Sequence, residues 1–120
     1  MQDTLRKLYG KGVVCVQSQL KRGTLELCVL SLLCAGDCYG YEIVNKITDC
    51  MKMTEGTIYP LLKRLKDSGK IESYIVESQE GPPRKYYRIT DIGRQQQAEQ
   101  KELWVNFSAA VNRILEGGNG

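Results

Sequence analysis

A chain of 120 residues, 42% hydrophobic and 26% charged with a formal net charge of +3, has the make-up of one soluble globular domain and the length for one modest core. Its longest apolar run, around Leu25 to Ala35 and broken by Glu26 and Ser31, falls far short of the roughly 20 residues that span a bilayer. The N-terminus lacks the apolar segment and cleavage site of a secretory signal, so a cytoplasmic protein with no membrane partner is expected.

Residues 1–16, interrupted by Gly10 and Gly12, show no clean periodicity and form an N-terminal arm to which no role is assigned. From about Gln19 to Ala35 a run rich in leucine and valine predicts a central helix, apolar on nearly every side, with Thr24 able to cap a late start. After the Gly36-Asp37-Cys38 break, Tyr39, Ile43, Val44 and Ile47 fall at helical spacing, and Asp37 is the candidate N-cap. Ile58, Leu61, Leu62 and Leu65 then follow the i, i+3, i+4, i+7 pattern of one buried face, with Thr54 to cap the start and Gly69 to end the helix. Pro60 is awkward there. Beyond the first turn a proline costs a helix about 3 kcal/mol, so local rules favour a start at Pro60 over one near Glu55.

Next, KIESYIVES and RKYYRIT alternate β-branched or aromatic residues with polar ones on either side of a Gly-Pro-Pro turn, which predicts a β-hairpin. DIGRQQQ opens a last long helix with an apolar stripe of Leu103, Trp104, Phe107, Val111, Ile114 and Leu115, ended by glycines. The fold class expected is mainly α with a small β-hairpin: a winged helix-turn-helix over 17–90 and a C-terminal helix over 91–120.

The charge distribution suits that fold. Lys63, Arg64, Lys66 and Lys70 cluster against Asp67 alone, and Arg84, Lys85 and Arg88 follow without an acid among them. A DNA major groove accepts one helix while a hairpin wing reaches along the backbone. With 58, 61, 62 and 65 buried, the third helix turns Gly56, Tyr59, Pro60 and Lys63 outward, with Thr57, Arg64 and Lys66 on the flanks. Spacing alone leaves DNA contact and an ordinary solvated face equally good readings of that surface. In the hairpin, Tyr86 and Tyr87 must point to opposite faces, one onto the helices and one towards solvent. Along the last helix, Leu103, Phe107, Ala110 and Ile114 have the spacing of a helix–helix seam, for a second copy or for the chain's own domain.

Other chemistries find less support. The five cysteines, Cys15, Cys28, Cys34, Cys38 and Cys50, read first as small reduced hydrophobes. With no histidine and no CxxC pair, neither a metal site nor a cofactor is expected, and thiol or metal sensing through Cys34, Cys38 or Cys50 is the minor alternative. No phosphate-binding glycine loop and no paired carboxylates are visible, which argues against an enzyme. A winged helix that binds protein instead of DNA is the competing function.

The segments GTLELCVLSLL, YGYEI, EGTIYPLLKRLKDSG and GPPRKYYRIT, in this order across roughly Gln19 to Leu115, resemble the PadR family of bacterial transcriptional regulators. The resemblance implies a winged-helix DNA-binding domain and a C-terminal helix that builds a homodimer through Leu103, Trp104, Phe107, Val111 and Ile114. It also implies repression of target promoters until an effector releases the dimer, in the short subtype with a single C-terminal helix. It sets the start of the recognition helix at Glu55, against the local rule on Pro60. DNA contact is carried onto Thr57, Tyr59, Pro60 and Lys63, with Arg64 on the flank, and wing contact onto Arg84 and Lys85. Pro82 departs from the pattern, since many relatives have a basic residue there. Trp104 matches a tryptophan that lines an aromatic pocket between subunits in drug-sensing members, which implies a small apolar or aromatic effector near Trp104 and Phe107.

Overall fold

The computed structural model describes residues 14–15 and 23–117. In chain order these form β1 Val14–Cys15, α1 Thr24–Ala35, β2 Cys38–Tyr39, α2 Gly40–Thr48, β3 Met51–Lys52, α3 Glu55–Asp67, β4 Ile71–Val76, β5 Arg84–Ile89 and α4 Asp91–Leu115. The arm expected over 1–16 lies outside the described residues apart from Val14–Cys15, which pairs in parallel with Met51–Lys52. The start of the first helix before Gly23 likewise lies outside them. Thr24 is its first residue and Gly23 stands at the N-cap.

One core joins the first three helices and the sheet. Leu25, Val29, Leu30 and Leu33 of α1 meet Ile43, Val44 and Ile47 of α2, Ile58, Leu61, Leu62 and Leu65 of α3, and Ile71, Tyr87 and Ile89 of the sheet. Ile58, which a helix starting at Pro60 would leave out, helps to explain why α3 continues through Pro60. Its burial stabilises the fold by about 1.5–3 kcal/mol, comparable with the ~3 kcal/mol that an internal proline costs. Pro60 and Gly56, the residue one turn before it, are both exposed, so the missing backbone donor falls on the solvent side of the helix. The helix ends as the sequence suggests: Gly69, at φ 77°, brings its own amide to the Lys66 carbonyl and the Lys70 amide to the Leu65 carbonyl, both at 3.0 Å.

Two capping expectations are corrected. Asp37 does not cap α2. The N-cap is Tyr39, whose amide donates to Glu42 Oε1 (3.3 Å), while Asp37 Oδ2 accepts from the Tyr74 hydroxyl at 2.6 Å. The two-residue strand β2 intervenes and moves the helix start past the reach of Asp37. Thr54 does take the N-cap of α3, but its hydroxyl makes no capping bond. The Thr57 amide bonds the Thr54 backbone carbonyl instead, at 3.0 Å.

The hairpin β4–β5 gains a third antiparallel strand from β2, in the order β2-β5-β4. Tyr86 stands opposite both Tyr39 and Tyr74, while Tyr87 stands opposite Cys38 and Ser73. Tyr87 is buried and Tyr86 is not, as strand alternation requires.

α4 starts on the domain and then leaves it. Thr90 caps it, its hydroxyl accepting from the Gly93 amide (3.1 Å) and donating to the Gly69 carbonyl (2.7 Å). The first turn sits so close to the end of α3 that a Cβ on Gly93 would stand 2.1 Å from the Lys70 carbonyl oxygen. One turn on, Gln97 Nε2 donates to Ser31 Oγ of α1 at 3.1 Å. Beyond that point the helix has little cover, and Gly93 is the one buried residue among its 25.

Candidate nucleic-acid interface

The outward face of α3 carries side chains that the core does not use. Pro60, Lys63 and Arg64 are exposed and Thr57 is half-buried. Lys63 Nζ reaches Asp67 Oδ2 at 3.5 Å across one helical turn, with both groups largely in water. Such a pair contributes about 0–1 kcal/mol, so Lys63 is readily diverted to another anion. Tyr59 does two things at once. Its ring packs against Gly40, 3.0 Å from where a Cβ there would stand, which leaves little room for a larger residue at the start of α2. It nevertheless remains 41% exposed. Burial first, then the Glu55 carboxylate and Tyr41, push its phenol pKa up, so at neutral pH it faces solvent as a neutral hydrogen-bond donor.

The wing presents two different faces. On the outer one, Tyr86 packs between Tyr39 and Tyr74, with ring centroids 5.6 and 5.7 Å apart. Arg84 lies 4.7 Å over the Tyr39 ring and Arg88 lies 5.1 Å over the Tyr74 ring. Arg88 also bonds Glu72 at 3.1 Å, and this carboxylate is the main reason its pKa is raised. The Tyr74 pKa is raised chiefly because its hydroxyl donates to Asp37. Lys85, opposite Ile75, points to the inner face beyond the edge of the core and is exposed.

The two wing residues singled out in the sequence therefore sit on opposite sides of the strand. The alternation that separates Tyr86 from Tyr87 separates Arg84 from Lys85 as well. The outer ladder of tyrosines was missed by sequence reasoning. Tyr74 could have been placed from strand alternation, which puts it on the same face as Glu72 and opposite to Ile71 and Ser73. Tyr39 could not, because a two-residue strand carries no period.

On α4, Leu103 (70% exposed), Phe107 (65%) and Ile114 (76%) stand in solvent, Trp104 is 46% exposed and Val111 is half-buried. Leu103, Trp104 and Phe107 line a shallow apolar groove of about 350 Å³ with Thr24 and Leu27 of α1. Among the described residues no cluster of ligating side chains suited to a metal ion is present, and no helix is long and apolar enough to cross a membrane.

Three helices with a three-stranded wing and a free face on the third helix define a winged helix-turn-helix protein. The chain belongs to the transcriptional regulator PadR-like family, whose pattern it matches over residues 29–99. It is 41% identical to a PadR-like transcriptional regulator of Bacillus cereus, with a TM-score of 0.75 over 82% of this chain and 97% of that one. An uncharacterized protein of Lysinibacillus sphaericus is 33% identical over 106 residues, 85% of this chain and 97% of that protein. The structure of Bacillus subtilis PadR in complex with operator DNA is similar with a TM-score of 0.60 at 28% identity, over 65% of this chain and 45% of that one.

Proposed function

We propose that the protein is a homodimeric repressor that binds operator DNA and is released by a small apolar or aromatic effector. The observation that carries this reading is the free face of α3, where Tyr59, Pro60, Lys63 and Arg64 stand exposed while the opposite face supplies four core residues. In the complex, Thr57, Tyr59, Pro60 and Lys63 meet base edges and phosphates in the major groove, with Arg64 at the flank. The wing tip enters the adjacent minor groove. There its two faces meet the two backbones that wall the groove, Arg84 on one side and Lys85 on the other, where positive side chains are favoured.

Residues 91–120 form the dimerisation element in this reading and 17–90 the DNA-binding domain. Leu103, Trp104, Phe107, Val111 and Ile114 form the seam between protomers, since a monomer that left this stripe in water would carry an apolar patch of the kind that marks interaction sites. The effector binds at Trp104 and Phe107, where the groove beside α1 adjoins the seam.

Selection from a pool of random duplexes, with light scattering on the free protein, tests the reading. A particle of twice the chain mass and enrichment of a palindrome are expected, with half-sites one helical turn of about 34 Å or a multiple apart. A monomer, or a pool that never enriches, contradicts it.

A further inference from the structure

A second groove, of about 740 Å³, opens between α1, the turn after α2 and the flank of α4, and the DNA-binding reading makes no use of it. Three thiols line it: Cys28 and Cys34 from α1, and Cys50 from the turn that leads into β3. Cysteines serving only as small hydrophobes belong in the core, as Cys38 does at 2% exposure. These three gather on the walls of one cavity, Cys50 exposed and Cys28 half-buried. Cys50 faces Cys28 across the groove, and after burial it is the neighbour that pushes the Cys28 pKa up. No group of three or more ligating side chains among the described residues is arranged to hold a metal ion.

We propose that Cys50 and Cys28 are a peroxide-responsive pair that closes to a disulfide across this groove. Cys50 reacts first because it is open to solvent. Its thiolate sulfur attacks one peroxide oxygen, the O–O bond breaks, and the departing hydroxide takes a proton to become water. Cys50 is left as the sulfenic acid. The Cys28 sulfur then attacks the Cys50 sulfur, the S–O bond breaks, and the Cys28 proton leaves with the hydroxide as a second water. Two thiols lose two electrons in all, and one peroxide is reduced to two waters.

The bridge ties α1 to the turn that leads through β3 into α3. Trp104 lines the same groove and also borders the exposed stripe of α4. It is also the chain's single tryptophan and reports on the groove, since a disulfide at close range quenches indole emission.

The test exposes the reduced full chain to a few equivalents of hydrogen peroxide, alkylates the remaining thiols and maps the non-reduced digest by tandem mass spectrometry. Expected is a Cys28–Cys50 linked peptide, two hydrogens lighter than its parts and reversed by dithiothreitol. Trp104 emission should fall as it forms and recover on reduction. Cys34→Ser should leave the bridge intact, whereas Cys28→Ser should send Cys50 on to the sulfinic acid. Wild-type Cys50 found unreacted, as the sulfinic acid or bridged to any other thiol, including Cys50 of a second chain, overturns the proposal. The wild-type map decides this even if a serine variant folds poorly.

Discussion

Gly93 illustrates how much a single position decides. Glycine within a helix is normally about 1 kcal/mol worse than alanine, so an isolated-helix argument has Gly93→Ala stabilise the protein. Here a Cβ would stand 2.1 Å from the Lys70 carbonyl oxygen and 2.7 Å from Ile89 Cγ1. We expect Gly93→Ala to destabilise by about 1–3 kcal/mol, the range for an overpacked contact, and urea unfolding gives the sign directly. Thr90→Ala, which removes the hydroxyl that accepts from Gly93, should cost about 1 kcal/mol by the same measurement. The sequence alone does not mark Gly93, because the backbone it must avoid most closely, at Lys70, lies more than twenty residues away along the chain. Arg84 and Lys85 show the opposite case. Their separation onto two faces follows the same strand periodicity that the sequence sets for Tyr86 and Tyr87, although there it was drawn only for the tyrosines.

Among the elements, α3 holds the sharpest conflict between local preference and tertiary packing. Propensity starts the helix at Pro60, and burial of Ile58, which a helix starting at Pro60 would leave out, helps to extend it back to Glu55. Pro60→Ala restores a backbone donor at an exposed site, so the variant should be more stable by up to about 3 kcal/mol, with a higher unfolding midpoint. In the proposed complex the same change should weaken DNA binding, since Pro60 stands on the contact face. Thermal unfolding and duplex titration of one sample separate the two effects. The amphipathic helices were legible because their periods are long enough to read. β2 was not, because two residues acquire strand geometry only through pairing with β5, and Asp37 was misassigned as a cap for the same reason. The basic α3 face was legible as charge, whereas the structural half of Tyr59 required its contact with Gly40.

At the scale of the whole molecule, the domain is satisfied and α4 is not. Its outer half offers Leu103, Phe107 and Ile114 to solvent, and in the proposed assembly a second copy covers them. Phe107→Asp touches no core residue, so the monomer should fold as before. Its dimer dissociation constant should rise at least a hundredfold, about 2.7 kcal/mol, as read by sedimentation equilibrium. A two-fold assembly also doubles every DNA contact. The most direct measurement is therefore fluorescence anisotropy on a duplex from upstream of the protein's own gene, against a random duplex, over a salt series. It is run with wild type and with the Arg84→Ala/Lys85→Ala double variant. Wild type should prefer the upstream duplex by a hundredfold or more, about 2.7 kcal/mol. The salt slope of the variant should be shallower by about 0.9 per lost phosphate contact, up to roughly 3.6 for four side chains in a dimer. Equal salt slopes for both proteins, or no binding at low salt, would contradict it.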